Sequence, residues 1–118
     1  MDNILVIDDE EGIRFSLSKV LTHLGYKVKV ARDGEEGIRL FNNGNNFDLV
    51  ITGICMPRMS GNEVAEYIRS SDKSDTPMVA MSGSPEEDID RGLFNCLLMK
   101  PFRLEYLVDV VRSFAKSS

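Results

Sequence analysis

Ile4-Leu5-Val6-Ile7-Asp8-Asp9-Glu10, close to the start of the chain, places an uninterrupted apolar run directly before three acids. A continuous apolar run is typical of a strand that is buried on both faces, as the strands of parallel sheets are. We therefore predict a first strand at residues 3–8, with acidic side chains at its carboxyl end.

The rest of the chain alternates predicted strands with predicted helices. Further strands are predicted at residues 26–31, 47–52, 76–82 and 96–99, and helices at residues 11–24, 35–42, 62–70, from about 85 onward, and 103–116. Five strands alternating with five helices indicate an α/β fold, in which a parallel sheet is covered by helices on both faces. Ligands of such sheets bind beyond the carboxyl ends of the strands, so the residues there are the candidates for function.

Polar side chains stand at three of these strand ends. Asp8 ends the first predicted strand and Asp9 follows it, Ser82 ends the fourth, and Lys100 follows the fifth. Two acids, a hydroxyl and an ammonium suit phosphoryl transfer with a divalent metal, because Mg²⁺ prefers oxygen ligands and lysine neutralises phosphate oxygens. Taken singly, they are typical of a helix-capping acid pair, a loop hydroxyl and a surface lysine. Their joint placement favours the phosphoryl-transfer interpretation.

Length and charge indicate a single domain and argue against two classes of protein, those that bind nucleic acid directly and those that span a membrane. The 118 residues fit one domain, residues 1–118, and the net charge of −5 with scattered basic residues argues against direct nucleic-acid binding. The apolar run at residues 4–7 is too short to span a membrane. Cys55 and Cys96 match no metal or redox spacing, so we expect reduced thiols and a cytoplasmic location.

Five segments of the chain match the pattern of a known family: Ile4-Leu5-Val6-Ile7-Asp8-Asp9-Glu10, Asp48-Leu49-Val50-Ile51-Thr52, Met56-Pro57 with Met59-Ser60-Gly61, Met81-Ser82-Gly83 and Lys100-Pro101-Phe102. Taken together, these segments make the chain resemble the receiver domains of bacterial response regulators over its whole length. The resemblance implies a flavodoxin-like (βα)5 fold with strand order 2-1-3-4-5. It also implies Mg²⁺ as cofactor, and a sensor histidine kinase or a phosphotransfer protein as partner.

The resemblance also implies a role for each matching residue. Asp8 and Asp9 look like the acids of the magnesium site, and Cys55 stands where the family offers a backbone carbonyl to the metal. Ser82 looks like the switch hydroxyl and Lys100 like the lysine that pairs with the phosphoryl group. The bond between Lys100 and Pro101 is expected to be cis, as in relatives.

Gly53 departs from the family pattern, because receivers carry their phosphate-accepting aspartate at this position. Glycine has no side chain on which an acyl phosphate could form, so we expect no phosphorylation at the usual site. The metal site also loses one carboxylate, and Mg²⁺ is expected to bind more weakly. The sequence is compatible with a natural pseudo-receiver and with a substitution in an ordinary, phosphorylatable receiver.

Two further departures lie on the side that receivers commonly use for output. Residues 83–99, between Ser82 and Lys100, are about one helical turn fewer than in typical receivers, so we expect a shortened fourth helix. Leu97 stands three residues before Lys100, where relatives often carry Tyr or Phe, so the aromatic part of the usual switch is missing. Leu97 is equally well interpreted as a strand residue packing on its neighbours.

These observations leave two hypotheses about function. The first is a receiver, stand-alone or part of a longer regulator, which is not an enzyme and with aspartate at position 53 would catalyse only its own phosphorylation and dephosphorylation. The second is a phosphate-independent module that binds a partner protein, whose identity the sequence does not indicate. A flavin- or nucleotide-binding enzyme is disfavoured, because residues 8–12 form no glycine-rich phosphate loop.

Overall fold

A computed structural model describes residues 2–44, 46–84 and 88–114. In this part of the chain five strands alternate with four α-helices and one 3₁₀ turn. The strands are β1 (Asn3–Ile7), β2 (Lys27–Ala31), β3 (Leu49–Gly53), β4 (Met78–Ser82) and β5 (Cys96–Met99). The helices are α1 (Glu11–His23), α2 (Gly34–Asn42), α3 (Gly61–Arg69) and α4 (Leu104–Phe114), and the 3₁₀ turn is Arg91–Leu93.

The five strands form one parallel sheet in the order β2-β1-β3-β4-β5. This is the order that the family resemblance implied, and the prediction is confirmed. The order reverses between β1 and β3, because β2 lies on the far side of β1. In a doubly wound sheet this reversal opens a crevice at the carboxyl ends of the two strands.

Helices cover both faces of the sheet, as predicted. On one face Leu17 and Leu21 of α1 and Leu107 of α4 pack with strand residues such as Ile4 in one buried cluster. On the other face a second cluster combines side chains of β1 and β3 with those of α2 and α3: Leu5, Ile7, Val50, Phe41, Val64, Ala65 and Ile68. Because β1 contributes to both clusters, its apolar run is continuous rather than alternating.

Local hydrogen bonds explain where the helices begin and end. The Gly25 amide donates to the Thr22 carbonyl, and the Tyr26 amide donates to the Leu21 carbonyl. These two bonds form a Schellman motif, which uses glycine because Gly25 has φ +99°. At the start of α3 the Ser60 hydroxyl and the Glu63 carboxylate bond each other's backbone amides in a capping box.

The prediction of a fourth helix starting near Pro85 is the one correction to the fold. Residues 85–87 lie outside the described residues, and residues 88–90 are not helical. In the described part of this connection the regular element is the 3₁₀ turn Arg91–Leu93, where the prediction had a short α-helix.

Two side chains of α3 hold this connection from one side. Asn62 donates to the Asp88 carbonyl and accepts from the Asp90 amide, at 2.7 and 2.9 Å. The Arg69 guanidinium donates to the Leu93 carbonyl and the Asn95 side chain. These bonds satisfy main-chain groups of the connection and the Asn95 side chain. In an α-helix, such main-chain groups would bond to one another within the helix.

Other predicted boundaries within the described residues match the structure or differ from it by one or two residues. The predicted strand at residues 96–99 matches β5, and the peptide bond between Lys100 and Pro101 is cis, as expected. The last predicted helix, residues 103–116, is observed as α4, with residues 115–118 outside the described part. Among the described residues, no helix combines the length and the apolar character needed to cross a bilayer.

Candidate functional site

The sheet brings the predicted site residues to one edge. Asp8 directly follows β1, Gly53 and Ser82 end β3 and β4, and Lys100 directly follows β5. The parallel register aligns these ends, since Gly53 pairs with Met81 and Ser82 pairs with Met99. The site is therefore a product of the strand order, assembled from segments that are far apart in sequence.

Asp8 is fully buried, and both of its carboxylate oxygens accept hydrogen bonds. Oδ1 accepts from the Glu10 backbone amide at 2.9 Å, which closes a tight turn after β1. Oδ2 accepts from Nζ of Lys100 at 3.1 Å. Arg14 donates from Nη1 to the Asp8 backbone carbonyl at 2.8 Å and so ties this turn to α1.

Lys100 is held by two carboxylates at once. Besides Asp8 it contacts Oε1 of Glu10 at 2.7 Å, and the Lys100 side chain is only 17% exposed. The Glu10 side chain is 60% exposed, so this second ion pair is weakened by solvent, whereas the pair with Asp8 lies away from water. Glu10 is also the N-cap residue of α1, but its side chain makes no capping bond and pairs with Lys100 instead.

Gly53 is buried at the end of β3, directly beside the Asp8 carboxylate. A Cβ atom at this position would lie 2.9 Å from Oδ2 of Asp8, closer than side-chain carbons normally approach an oxygen. The Asp8 carboxylate therefore lies in the space that a side chain at position 53 would need. Any larger residue here requires Asp8 to move.

Gly61 approaches the backbone of Gly53 from the start of α3. Its amide donates to the Ile54 carbonyl at 2.9 Å, and a Cβ atom on Gly61 would lie 2.1 Å from the Gly53 carbonyl oxygen. Only glycine permits this approach, because the opposing atom belongs to backbone that cannot rotate away. Gly61 thus fixes how closely α3 lies to the end of β3.

The remaining predicted residues lie near this group but differ in their contacts. The Ser82 hydroxyl is buried, donates to the Ser84 carbonyl at 2.7 Å and accepts from the Ser84 amide at 3.3 Å. Asp9 and Cys55 are exposed. Leu97 is half-buried in β5, in register with Ala80 of β4, and its role in a switch stays a prediction.

The sequence matches the response regulator receiver domain family over residues 4–112. The chain belongs to this family. The response regulator MprA of Mycobacterium sp. (strain KMS) is 35% identical over 118 residues, which cover 96% of this chain and 50% of that protein. The chain thus spans about half the length of the curated relatives it matches.

Solved receiver structures share the fold as well. The response regulator TrrA of Thermotoga maritima, solved in complex with Mg²⁺-BeF, superposes with a TM-score of 0.87 at 35% identity, covering 97% of this chain and 99% of TrrA. A second structure holds TrrA in complex with the histidine kinase ThkA, and its match has a TM-score of 0.85, covering 97% of this chain and 98% of TrrA. The fold predicted from the sequence is therefore the fold of the family.

Magnesium is the ion that membership of the receiver family implies, and the site residues do not fit it as they are arranged. Both Asp8 oxygens already accept hydrogen bonds, one of them from the ammonium of Lys100, and Gly53 contributes no carboxylate. In the part of the chain that the structure describes, no group of three His, Cys, Asp or Glu side chains is arranged to hold a metal ion. A metal at Asp8 would have to displace Lys100.

The electrostatics of this receiver site follow from burial. Burial raises the pKa of the Asp8 carboxyl above its ordinary value, although the hydrogen bonds from the Glu10 amide and Lys100 act to lower it. Burial acts to lower the pKa of the Lys100 ammonium, but its hydrogen bonds to Glu10 and Asp8 outweigh this, and the pKa is raised. Lys100 is therefore firmly charged, and its positive charge compensates the negative charge of the buried Asp8 carboxylate.

No role was predicted for Glu10 or Arg14 from the sequence, although both contact the residues of the receiver site. Glu10 is the third acid after β1 and could have been suspected as a partner of Lys100 from that placement alone. Arg14 lies one turn into α1, four residues after Glu10. Residues four apart lie on the same helix face, and this spacing was the only sequence signal that Arg14 lies near the end of β1.

Proposed function

We propose that this receiver takes part in two-component signalling without accepting a phosphoryl group at position 53. The observation that carries the proposal is Gly53 itself, buried at the end of β3 beside Asp8 and within the receiver frame. The aspartate of a receiver forms an acyl phosphate through its carboxylate, and glycine offers no atom for that bond. The protein then corresponds to the unphosphorylated form of the switch.

The other parts of the proposal follow from the receiver pattern of the site residues. The chain is not an enzyme in this form, and with aspartate at position 53 it would catalyse only its own phosphorylation and dephosphorylation. Asp8, Asp9 and the backbone carbonyl of Cys55 are the groups that would hold Mg²⁺ in that variant, with Ser82 and Lys100 contacting the phosphoryl group. Magnesium would neutralise the phosphoryl oxygens when bound.

The partner that we propose is a sensor histidine kinase or a phosphotransfer protein. The support is the solved complex of TrrA with a histidine kinase, since TrrA shares the fold over nearly the whole chain. We place the protein in the cytoplasm, where such kinases present their phosphoryl groups and where Cys55 and Cys96, both free thiols, stay reduced.

Incubation with acetyl phosphate and Mg²⁺, followed by intact-mass measurement, tests this proposal. The chain as it stands is expected to gain no mass, and Gly53→Asp is expected to gain one phosphoryl group. Gly53→Asn is the matched control, because its side chain has the size of aspartate without the attacking carboxylate. Phosphorylation of the Gly53 chain, or failure of a folded Gly53→Asp variant to react, would contradict the proposal.

A second candidate function is binding of a partner protein independently of phosphate. It is favoured by the connection at residues 88–95, which α3 holds in place and which replaces an ordinary fourth helix on the usual output side. A pull-down comparing the native chain with Gly53→Asp, each with and without acetyl phosphate, distinguishes the phosphate-independent module from the phosphate-dependent receiver. Equal capture of the same partner in all four conditions would favour the module, and capture that depends on phosphate would exclude it.

A further inference from the structure

We propose that the Lys100 ammonium serves this receiver as a built-in counter-ion of Asp8 and takes the place of Mg²⁺. Nζ of Lys100 lies 3.1 Å from Oδ2 of Asp8 and 2.7 Å from Oε1 of Glu10. It therefore bridges a buried carboxylate and an exposed one at the edge where the family implies a metal. The inference deepens the proposed function, since it concerns the same site.

The arrangement depends on the glycine at position 53. Oδ2 of Asp8, the oxygen that accepts from Lys100, is also the atom that lies 2.9 Å from the position of a Cβ on residue 53. Any side chain there would push this oxygen away, and a carboxylate would also compete with Asp8 for the lysine. With glycine at position 53, Asp8 and Lys100 form a direct ion pair.

Charge balance explains why a lysine suffices. With both carboxylates ionised, Asp8 and Glu10 carry two negative charges and Lys100 supplies one positive charge, so one negative charge is left uncompensated. Mg²⁺ gives up its water reluctantly and is usually held by one or two carboxylates that are free to coordinate it. In this cluster Lys100 already neutralises half of the carboxylate charge and repels a second cation at close range. The remaining attraction does not offset the cost of removing water from Mg²⁺.

Glu10 and Arg14 hold Asp8 and Lys100 in the positions in which they form their ion pair. The Glu10 amide fixes Oδ1 of Asp8 while its carboxylate holds Lys100, so one residue orients both partners. Arg14 anchors the Asp8 carbonyl from α1 at 2.8 Å. The counter-ion is thus positioned by backbone and side-chain bonds from two elements.

A Mg²⁺ titration of the native chain, Lys100→Gln and Lys29→Gln tests the inference, followed by the amide NMR signals of Asp8 and Gly53. Lys29 is exposed on β2 and serves as the control for loss of one positive charge. Lys100→Gln is expected to bind Mg²⁺ at least about tenfold more tightly than the native chain, equivalent to about 1.4 kcal/mol. Lys29→Gln is expected to change the affinity far less. Equal affinities of the native chain and Lys100→Gln would overturn the inference.

A second measurement needs no substitution and covers the case in which Lys100→Gln fails to fold. The ¹H–¹⁵N signal of the Lys100 ammonium is recorded in the native chain while Mg²⁺ is added. We expect the signal to persist unchanged, and its displacement together with the Asp8 amide would overturn the inference. Displacement of Lys100 by Mg²⁺ without phosphoryl uptake would remove this inference alone, whereas phosphoryl uptake by the Gly53 chain would remove the proposed function.

Discussion

At the scale of single residues, two glycines determine the geometry of the site. Gly53 lets the Asp8 carboxylate come close to the end of β3, and Gly61 lets α3 come close to the Gly53 carbonyl. Neither has a positive φ, so backbone conformation does not demand glycine at either position. At Gly61 the nearby backbone excludes a side chain, whereas at Gly53 a side chain requires only that the Asp8 carboxylate move.

Gly61→Ala is expected to lower the free energy of unfolding by about 1–3 kcal/mol, the usual effect of forcing an extra carbon into a packed site. The methyl group would lie 2.1 Å from the Gly53 carbonyl oxygen, and both partners are backbone. Urea unfolding followed by circular dichroism measures the change.

Gly12→Ala is the matched control, since Gly12 lies in α1 with nothing within 4 Å of a Cβ. Alanine favours a helix over glycine by up to about 1 kcal/mol, so this variant is expected to be as stable as the native chain or more stable. Equal stability of the two alanine variants would show that the approach of α3 to β3 is not tight.

The positions of the site residues could be predicted, but their pairing could not. Asp8, Gly53, Ser82 and Lys100 were found because each belongs to a strand end, and strand ends of a parallel sheet meet at one edge. The Lys100 ion pairs with Asp8 and Glu10 depend on side-chain rotamers and on the space beside Gly53. Those are properties of the packed molecule, and no sequence spacing encodes them.

At the scale of elements, the connection between β4 and β5 is the part that differs from expectation. Ser84 and Pro85 form a local pattern typical of a helix start, yet residues 88–90 are not helical. Tertiary bonds from Asn62 and Arg69 hold this segment, and a local cap signal contains no information about such partners. By contrast, β5 was predicted with its observed bounds because its apolar run is bordered by polar residues on both sides.

Arg69 is the residue on which we expect this connection to depend most. Its guanidinium donates to the Leu93, Ser74 and Thr76 carbonyls and to the Asn95 side chain, at 2.6 to 3.1 Å. Arg69→Met keeps the apolar stem and leaves these acceptors unpaired, so we expect a loss of stability of about 2 kcal/mol or more. Thermal or urea unfolding measures this loss.

Amide hydrogen exchange would locate the effect of Arg69→Met, with faster exchange expected at Leu93 and Asn95. Arg39→Met, on the exposed side of α2, is the control and is expected to change stability by less than about 0.5 kcal/mol. An Arg69→Met variant as stable as Arg39→Met would contradict a structural role for the arginine.

At the scale of the whole molecule, the fold was predictable because several patterns agree. The apolar runs of β1 and β3 require cover on both faces, and the alternation with helices supplies it. The edge strand β2 carries the exposed Lys27 and Lys29, as expected of an edge strand with one wet face, but Val30 is exposed as well. The strand order itself came from the family resemblance, since alternation alone is compatible with other orders.

The central claim is that this molecule has the frame of a receiver and lacks the phosphoacceptor group at position 53. Beryllofluoride with Mg²⁺ mimics a phosphoryl group on the receiver aspartate, so amide NMR spectra of the native chain and of Gly53→Asp test the claim most directly. We predict an unchanged native spectrum, and shifts around Ser82 and Lys100 in Gly53→Asp. The same shifts in the native chain, or none in a folded Gly53→Asp variant, would contradict the claim.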